Sequence, residues 1–200
     1  MPRLSPRTLR SHPMSEFKHW YDVVVRRSLY EPNAMVLATA TKGGSPAARV
    51  VLLKSFSKEG FVFFTNYGSR KGRELRDNPR AALVFYWPEV TRQIRVEGIV
   101  KKIGIKESDQ YFRTRPLGAQ LGAHASPQSA VVPGREYLEQ RLKDVAQSFG
   151  NQSIMRPENW GGYRLCPMVL EFWQGRPDRL HDRFRYRFSK GRWIIEQLAP

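Results

Sequence analysis

Four short stretches of this chain carry residue types that can grip an anion. The first is Arg49-Val50-Val51-Leu52-Leu53-Lys54, an apolar strand-forming run with a cation at each end. Side chains alternate between the faces of a strand, so Arg49 and Lys54 are expected on opposite faces. They could then address two ligands or two parts of one; both also read as solvated strand ends. The second stretch, Thr65-Asn66-Tyr67-Gly68-Ser69-Arg70-Lys71, runs from a strand end through a glycine turn into a helix start. Unpaired backbone N–H groups, a hydroxyl cap and two adjacent cations make an anion site there. The spacing is not that of a nucleotide P-loop, which disfavours NTP hydrolysis and leaves a single phosphate monoester as the natural guest. A capped helix with surface charges fits the same residues.

The third stretch, Tyr111-Phe112-Arg113-Thr114-Arg115-Pro116, ends a helix. Tyr111 and Arg115 are four apart and share a face, so a phenol and a guanidinium can converge on one anion. Cations at a helix C-terminus also have a purely structural use, against the dipole. The fourth is Arg179-Leu180-His181-Asp182-Arg183. Read as a strand, it puts Arg179, His181 and Arg183 on one face, where they repel unless an anion or a polar ring sits among them. His181 is the best pH-dependent contact in the chain.

Other chemistries fail. No His/Asp/Glu cluster has metal-ligand spacing, and no Ser/His/Asp set or nucleophile elbow is present. The single cysteine, Cys166, excludes an internal disulfide framework. Many anion-binding cations beside few acid–base groups point to chemistry left to a phosphorylated cofactor.

The elements that must position these residues follow from periodicity. Phe17, Trp20, Tyr21, Val24, Val25 and Leu29 recur at helical spacing from a Ser15 cap to before Pro32. Strands are predicted over Ala34–Ala40, Ala47–Phe56, Phe61–Asn66, Ala81–Trp87 and Arg92–Ile103, with a short helix over Ser69–Asp77. Helices follow over Lys106–Arg115, then a second piece through Gln120, then Arg135–Phe149. A loop over Asn151–Glu158 leads to three closing strands, Tyr163–Gln174, Leu180–Phe188 and Arg192–Leu198. Many short antiparallel strands with helical insertions argue for a closed or nearly closed β-barrel flanked by helices. Residues 1–13, with Arg3, Arg7 and Arg10 and no acid, read as a flexible basic arm ahead of a single domain over 14–200.

The charge balance agrees with anion binding. A formal charge of +16 comes from 34 basic residues, of which 24 are Arg. Arginine's planar fork suits phosphate and carboxylate better than lysine's point charge. Apolar residues at 40% suffice for a packed core, and no apolar run reaches membrane-spanning length. A soluble protein of a reducing, cytoplasmic compartment is expected, with nucleic acid, anionic membrane or a small phosphorylated ligand as the open partners.

Taken in order, Arg49 to Lys54, Phe64 to Lys71, Arg92-Gln93, Tyr111-Phe-x-x-Arg115-Pro116, Gln128-Ser129, Phe172-Trp173-Gln174-Gly175 and Arg179 to Arg183 resemble the pyridoxamine/pyridoxine 5′-phosphate oxidase family. The resemblance covers roughly residues 14–200. It implies a mainly β fold with α, an FMN-binding split β-barrel, antiparallel and Greek-key-like, flanked by helices, forming a homodimer with flavin at the interface. By matching positions, FMN contacts would fall on Arg49, Val50, Leu52, Lys54, Phe64, Thr65, Arg70, Lys71, Gln93, Gln128, Ser129, Trp173 and Arg183. Substrate phosphate would meet Lys54, Tyr111 and Arg115. The pyridine ring would meet Arg179 and His181, the two residues assigned to catalysis. No metal, specific nucleic acid or membrane is implied.

The implied reaction oxidises pyridoxamine 5′-phosphate or pyridoxine 5′-phosphate at C4′ to pyridoxal 5′-phosphate, with O2 as acceptor and H2O2 released. Two departures stand out. Ala119 occupies the position where the family carries a serine, and the segment before Met14 does not match the family's basic N-terminal segment. A sister split-barrel oxidase acting on another aromatic, such as a phenazine precursor, shares the flavin motifs. A flavin-free basic nucleic-acid-binding module is the alternative of another class, against which the cations are scattered rather than forming one stripe.

Overall fold

The computed structural model describes residues 3–150 and 152–200, so Met1 and Pro2 of the basic arm and Asn151 of the Asn151–Glu158 loop lie outside the described residues. Helix α1 (Pro13–Arg26) opens two residues before Ser15. Pro13 suits the first helical position because its fixed φ is helical and its missing N–H has no partner there anyway. The cap is His12, whose Nδ1 accepts from the Met14 N–H at 3.2 Å. Phe17, Trp20 and Val24 bury one face of α1 completely. Ahead of it, the basic segment expected as a flexible arm makes specific contacts. Leu9 is buried in the core, the Leu4 N–H donates to Asp182 at 3.0 Å, and the Tyr186 hydroxyl donates to the Arg10 carbonyl at 2.7 Å.

Nine antiparallel strands are present among the described residues: β1 (Ala34–Ala40), β2 (Pro46–Leu52), β3 (Ser55–Ser57), β4 (Gly60–Asn66), β5 (Arg80–Trp87), β6 (Arg92–Lys102), β7 (Trp160–Gln174), β8 (Asp182–Ser189) and β9 (Arg192–Gln197). The strand expected over Ala47–Phe56 is two. Its ladder breaks at Leu53–Lys54, where the Leu53 N–H turns to the Asn33 carbonyl and the Lys54 N–H to that of Val62. The pairing order is β2-β1-β5-β6-β7-β4-β3, so the ends of the path are the two strands flanking that break. The sheet therefore curls as a half-barrel whose ends approach beside Lys54. Its core is aromatic: Phe17 meets Phe61 and Phe56 edge-on at 4.8 and 4.9 Å.

Strand β7 organises the rest. One edge pairs with β6 along almost its whole length. The other edge is shared, β4 taking Trp160–Leu165 and β8 taking Val169–Gln174. Around the sheet lie α2 (Arg70–Asp77), α3 (Ile105–Arg113), α4 (Leu117–Ala125) and α5 (Arg135–Phe149). Pro116 separates α3 from α4, which runs five residues past the expected end at Gln120. No helix of the described residues is long and apolar enough to cross a membrane.

The strand expected from Leu180 starts only at Asp182. Pro177–Arg179 forms a 3-10 turn, with Asp178 and Arg179 left-handed at φ of 55° and 60°. Arg179 and His181 thus precede β8 and do not share a strand face with Arg183. The alternation rule fails here because its premise, extended backbone, does not hold.

Candidate active site

The Thr65–Lys71 stretch folds as its residue types require. Ser69 caps α2, its Oγ accepting from the Gly72 N–H at 3.3 Å and donating to the Asn66 carbonyl at 2.7 Å. Asn66 Oδ1 accepts from the Gly68 N–H at 2.7 Å. Gly72 is obligatory, since a Cβ there would lie 2.3 Å from the Tyr67 carbonyl oxygen. This packing aims Lys71 back along β4, where its Nζ donates to Thr65 Oγ1 at 3.1 Å and Gln128 Oε1 at 3.3 Å. Thr65 Oγ1 also donates to Gln128 Oε1, at 3.1 Å. Burial, then the nearby Arg49 charge, pull the Lys71 pKa below its ordinary value, against the opposing pull of Glu74. A second anion beside Lys71 would relieve that strain.

A cavity of about 550 Å³ opens beside this corner. Its lining unites Arg49, Val50, Leu52, Lys54, Phe64, Thr65, Lys71, Tyr111, Arg115 and Gln128 from the sequence-predicted set. Arg49 and Lys54 thus reach one cavity rather than leaving opposite faces of one strand, because β2 ends between them. Ala119 lines it as well.

An aromatic stack builds one wall. Tyr111 stacks on Phe64 with ring centroids 3.9 Å apart, and Phe64 on Trp160 at 5.3 Å. The Arg115 guanidinium lies 4.6 Å from the Trp160 ring centroid, and its buried Nη1 has no hydrogen-bond partner. Burial lowers the Arg115 pKa, an effect partly offset by Tyr111. Arg115 lines the cavity, and its planar fork is suited to donate to an incoming anionic acceptor there.

Sequence reasoning missed Trp160. Its signal was the Trp160-Gly161-Gly162 triplet. A Cβ on Gly161 would meet the Tyr67 ring, and one on Gly162 would meet Ile103 and Phe64, so Gly162 makes room for the wall and Gly161 for Tyr67.

The remaining predicted residues gather elsewhere. Gln93 lies opposite Trp173 across β6 and β7, and Trp173 opposite Arg183 across β7 and β8. The His181 ring packs 4.7 Å from that of Trp173, and its Nδ1 accepts from the Arg176 N–H at 3.1 Å, which leaves the Nε2 edge to carry the proton of a neutral ring. Arg183 donates to Glu171 Oε1 and to the Ala199 carbonyl, both at 2.8 Å. Arg179 is exposed on the 3-10 turn, and Ser129 is exposed at φ 70°. Arg70 turns to Glu74, not to the cavity lining. Trp160 and Trp173 sit at opposite ends of β7, about 40 Å apart along the strand at its usual rise. One chain therefore holds two separated clusters.

Residues 24–149 match the family model described as pyridoxamine 5′-phosphate oxidase, and residues 160–200 match the pyridoxine 5′-phosphate oxidase C-terminal dimerisation region. The chain belongs to the pyridoxamine 5′-phosphate oxidase family. Curated relatives in this oxidoreductase family include the pyridoxine/pyridoxamine 5′-phosphate oxidases of Cupriavidus taiwanensis, 56% identical over 98% of this chain and 93% of the relative, and of Cyanothece sp., 50% identical over 98% and 92%. Among solved structures, PhzG from Burkholderia lata in complex with tetrahydrophenazine-1-carboxylic acid is 33% identical, with a TM-score of 0.93 over 98% of both chains. A pyridoxamine 5′-phosphate oxidase-related, FMN binding protein from Nostoc punctiforme is 20% identical with a TM-score of 0.73 over 98% of both chains, a likeness of fold. The match of residues 160–200 to a dimerisation region supports a homodimer and covers the second cluster: Trp173, His181 and Arg183 all fall within it.

Proposed function

We propose that this chain is an FMN-dependent oxidase that converts pyridoxamine 5′-phosphate, pyridoxine 5′-phosphate or both to pyridoxal 5′-phosphate, with O2 as acceptor and H2O2 as product. The observation that carries this reading is the pair of clusters separated along β7, each unfinished alone. In a homodimer, the cavity of one subunit can be completed by the Trp173 cluster of the other, which puts a flavin between them.

The residues fit a phosphorylated flavin. The cavity lining combines the cations Arg49 and Lys71 with the apolar Val50, Val51 and Leu52 of β2. Thr65, Lys71 and Gln128 already form a linked set of donors and acceptors whose remaining capacity faces the cavity. In this reading Arg49, Arg70 and Lys71 serve the flavin phosphate. Val50, Leu52, Lys54, Phe64, Thr65, Gln128 and Ser129 serve the rest of the flavin, and Gln93, Trp173 and Arg183 come from the partner. The bound flavin would supply the electron-pair acceptor.

The protein's own task is binding and orientation. Lys54, Tyr111 and Arg115, which line the cavity together, form the substrate phosphate clamp, with the planar Arg115 fork as its most directional donor. Arg179 and His181 hold the pyridine ring and stabilise charge at the reacting carbon. Arg179, on an exposed turn, is able to approach a partner's cavity, and His181 is oriented by Trp173 and the Arg176 N–H.

The test is turnover of pyridoxamine and pyridoxine 5′-phosphates by FMN-loaded protein, with H2O2 measured. Bound flavin with no turnover of either substrate would sink the reading. The likeness to PhzG favours a second one, oxidation of a phenazine precursor, for which Ala119 in the cavity lining removes a phosphate-directed hydroxyl. Turnover of a dihydrophenazine carboxylate in the same assay, without turnover of the B6 phosphates, would establish it.

A further inference from the structure

Glu74 stands one helical turn beyond Arg70 on α2, with only 5% of its side chain exposed. Both carboxylate oxygens are engaged. Oε1 accepts from Arg70 Nε at 2.8 Å, and Oε2 accepts from Arg49 Nη2 at 3.3 Å and from Thr39 Oγ1 at 2.5 Å. The circuit closes because Thr39 Oγ1 also accepts from Arg49 Nη1, which donates in addition to the Leu37 carbonyl at 3.3 Å. One acid thus ties β1, β2 and α2 together. Burying a carboxylate is costly unless its charge and lone pairs are satisfied, and these contacts satisfy them.

We propose that Glu74 is a positioning residue for the phosphate end of the site, holding Arg49 at the cavity in the orientation that receives the anion, with Arg70 anchoring the acid from the other side. The proposal rests on the flavin-phosphate reading above. Arg49, Arg70 and Lys71 carry like charges and would spread apart without a shared counter-ion. A free arginine also carries a large side-chain rotamer entropy, which a pre-ordered one does not lose again when the phosphate arrives. A glutamine cannot replace the acid. Its single oxygen can serve one arginine, and its amide N–H2 then confronts the other donor.

A role as mere counter-ion predicts the opposite sign, because removing the negative charge would leave the site more attractive to a dianion. The two roles separate when FMN is compared with riboflavin, which has the same ring system and no phosphate. Dissociation constants for both are measured by quenching of flavin fluorescence, on wild type, Glu74→Gln and the milder Thr39→Val, with melting temperatures alongside. Glu74→Gln is expected to weaken FMN by about tenfold or more, the scale of one lost charge-assisted hydrogen bond, and to leave riboflavin within about twofold. Thr39→Val is expected to move FMN in the same direction by a smaller factor, and decides the matter if Glu74→Gln does not fold. Equal losses for both flavins, an unchanged FMN constant, or tighter FMN binding overturns the proposal while leaving the flavin assignment standing. Wild-type protein that binds neither flavin overturns both.

Discussion

The guanidinium of Arg115 lies against the face of Trp160, 4.6 Å from its ring centroid, with Nη1 buried and unpaired. The ring fixes the plane of the fork while leaving its edge to a ligand. Lysine would keep the charge and lose both the plane and the stack. Arg115→Lys is expected to raise KM for the phosphorylated substrate by about tenfold or more, the scale of a charge-assisted contact worth roughly 1.5–3 kcal/mol. The FMN dissociation constant should stay near that of wild type. Steady-state kinetics with parallel flavin titration check both halves; an unchanged KM removes Arg115 from the clamp.

Gly72 makes a prediction about stability. The Tyr67 carbonyl oxygen would sit 2.3 Å from an added Cβ, and a backbone atom cannot swing away as a side chain can. Gly72→Ala should cost about 1–3 kcal/mol, the usual range for overpacking. At roughly 2–4 °C per kcal/mol for a chain of this size, the melting temperature should fall by several degrees. Gly118 lies within α4 with nothing within 4 Å of an added Cβ, so Gly118→Ala should hold or slightly raise it. A thermal melt of both variants at one protein concentration makes the comparison.

What the sequence discloses is divided by the range of the forces involved. The start of α2 was readable because Ser69, Gly68 and Asn66 make their contacts within a few residues. The break between β2 and β3 was not, because it depends on Asn33 and Val62, remote partners that redirect two N–H groups. That single break moves Lys54 into the cavity with Arg49. The left-handed turn at Asp178 and Arg179 had a local sign in Pro177, yet alternation of polar and apolar types outweighed it. Trp160 was marked only by the two glycines that follow it, and Glu74 carried no visible signal of its own. One is an aromatic among many, and the other an acid on a short basic helix. Each gains its place only when a distant strand or helix brings Arg115 or Arg49 to it.

Glu74 also sets an expectation for acid stability. Burial alone would raise its pKa, but the hydrogen bond from Thr39 and the two arginines outweigh this and hold it below the ordinary carboxylate range. In the unfolded chain the group titrates near 4.5. Its contribution is therefore fully present above that pH, is lost as pH falls toward the lower folded-state pKa, and is absent below it. The wild type should lose urea resistance faster than Glu74→Gln on going from pH 5 downward. Unfolding midpoints of the two proteins across that interval should converge; parallel curves would mean that Glu74 is not ionised in the fold.

The separation of the two clusters along β7 leads to a test of the composite site. If each cavity is completed by the partner's Trp173 cluster, a defect in either cluster disables both sites of a homodimer. Arg115→Ala damages the cavity, and Arg179→Ala damages the ring clamp, each by roughly 1.5–3 kcal/mol in kcat/KM. In a mixed dimer the subunit carrying Arg179→Ala still offers an intact cavity, and the subunit carrying Arg115→Ala still offers an intact ring clamp. These meet in one site, while both defects fall together in the other. A purified mixed dimer, isolated with two different affinity tags, is thus expected to show about half the wild-type turnover although both parents are nearly inactive. Sites confined to single subunits would give no such recovery, because every cavity in the mixture would carry its own defect. Turnover of the mixed dimer no greater than the mean of its parents would place Arg179 and Arg115 in the same subunit's site and remove the composite arrangement.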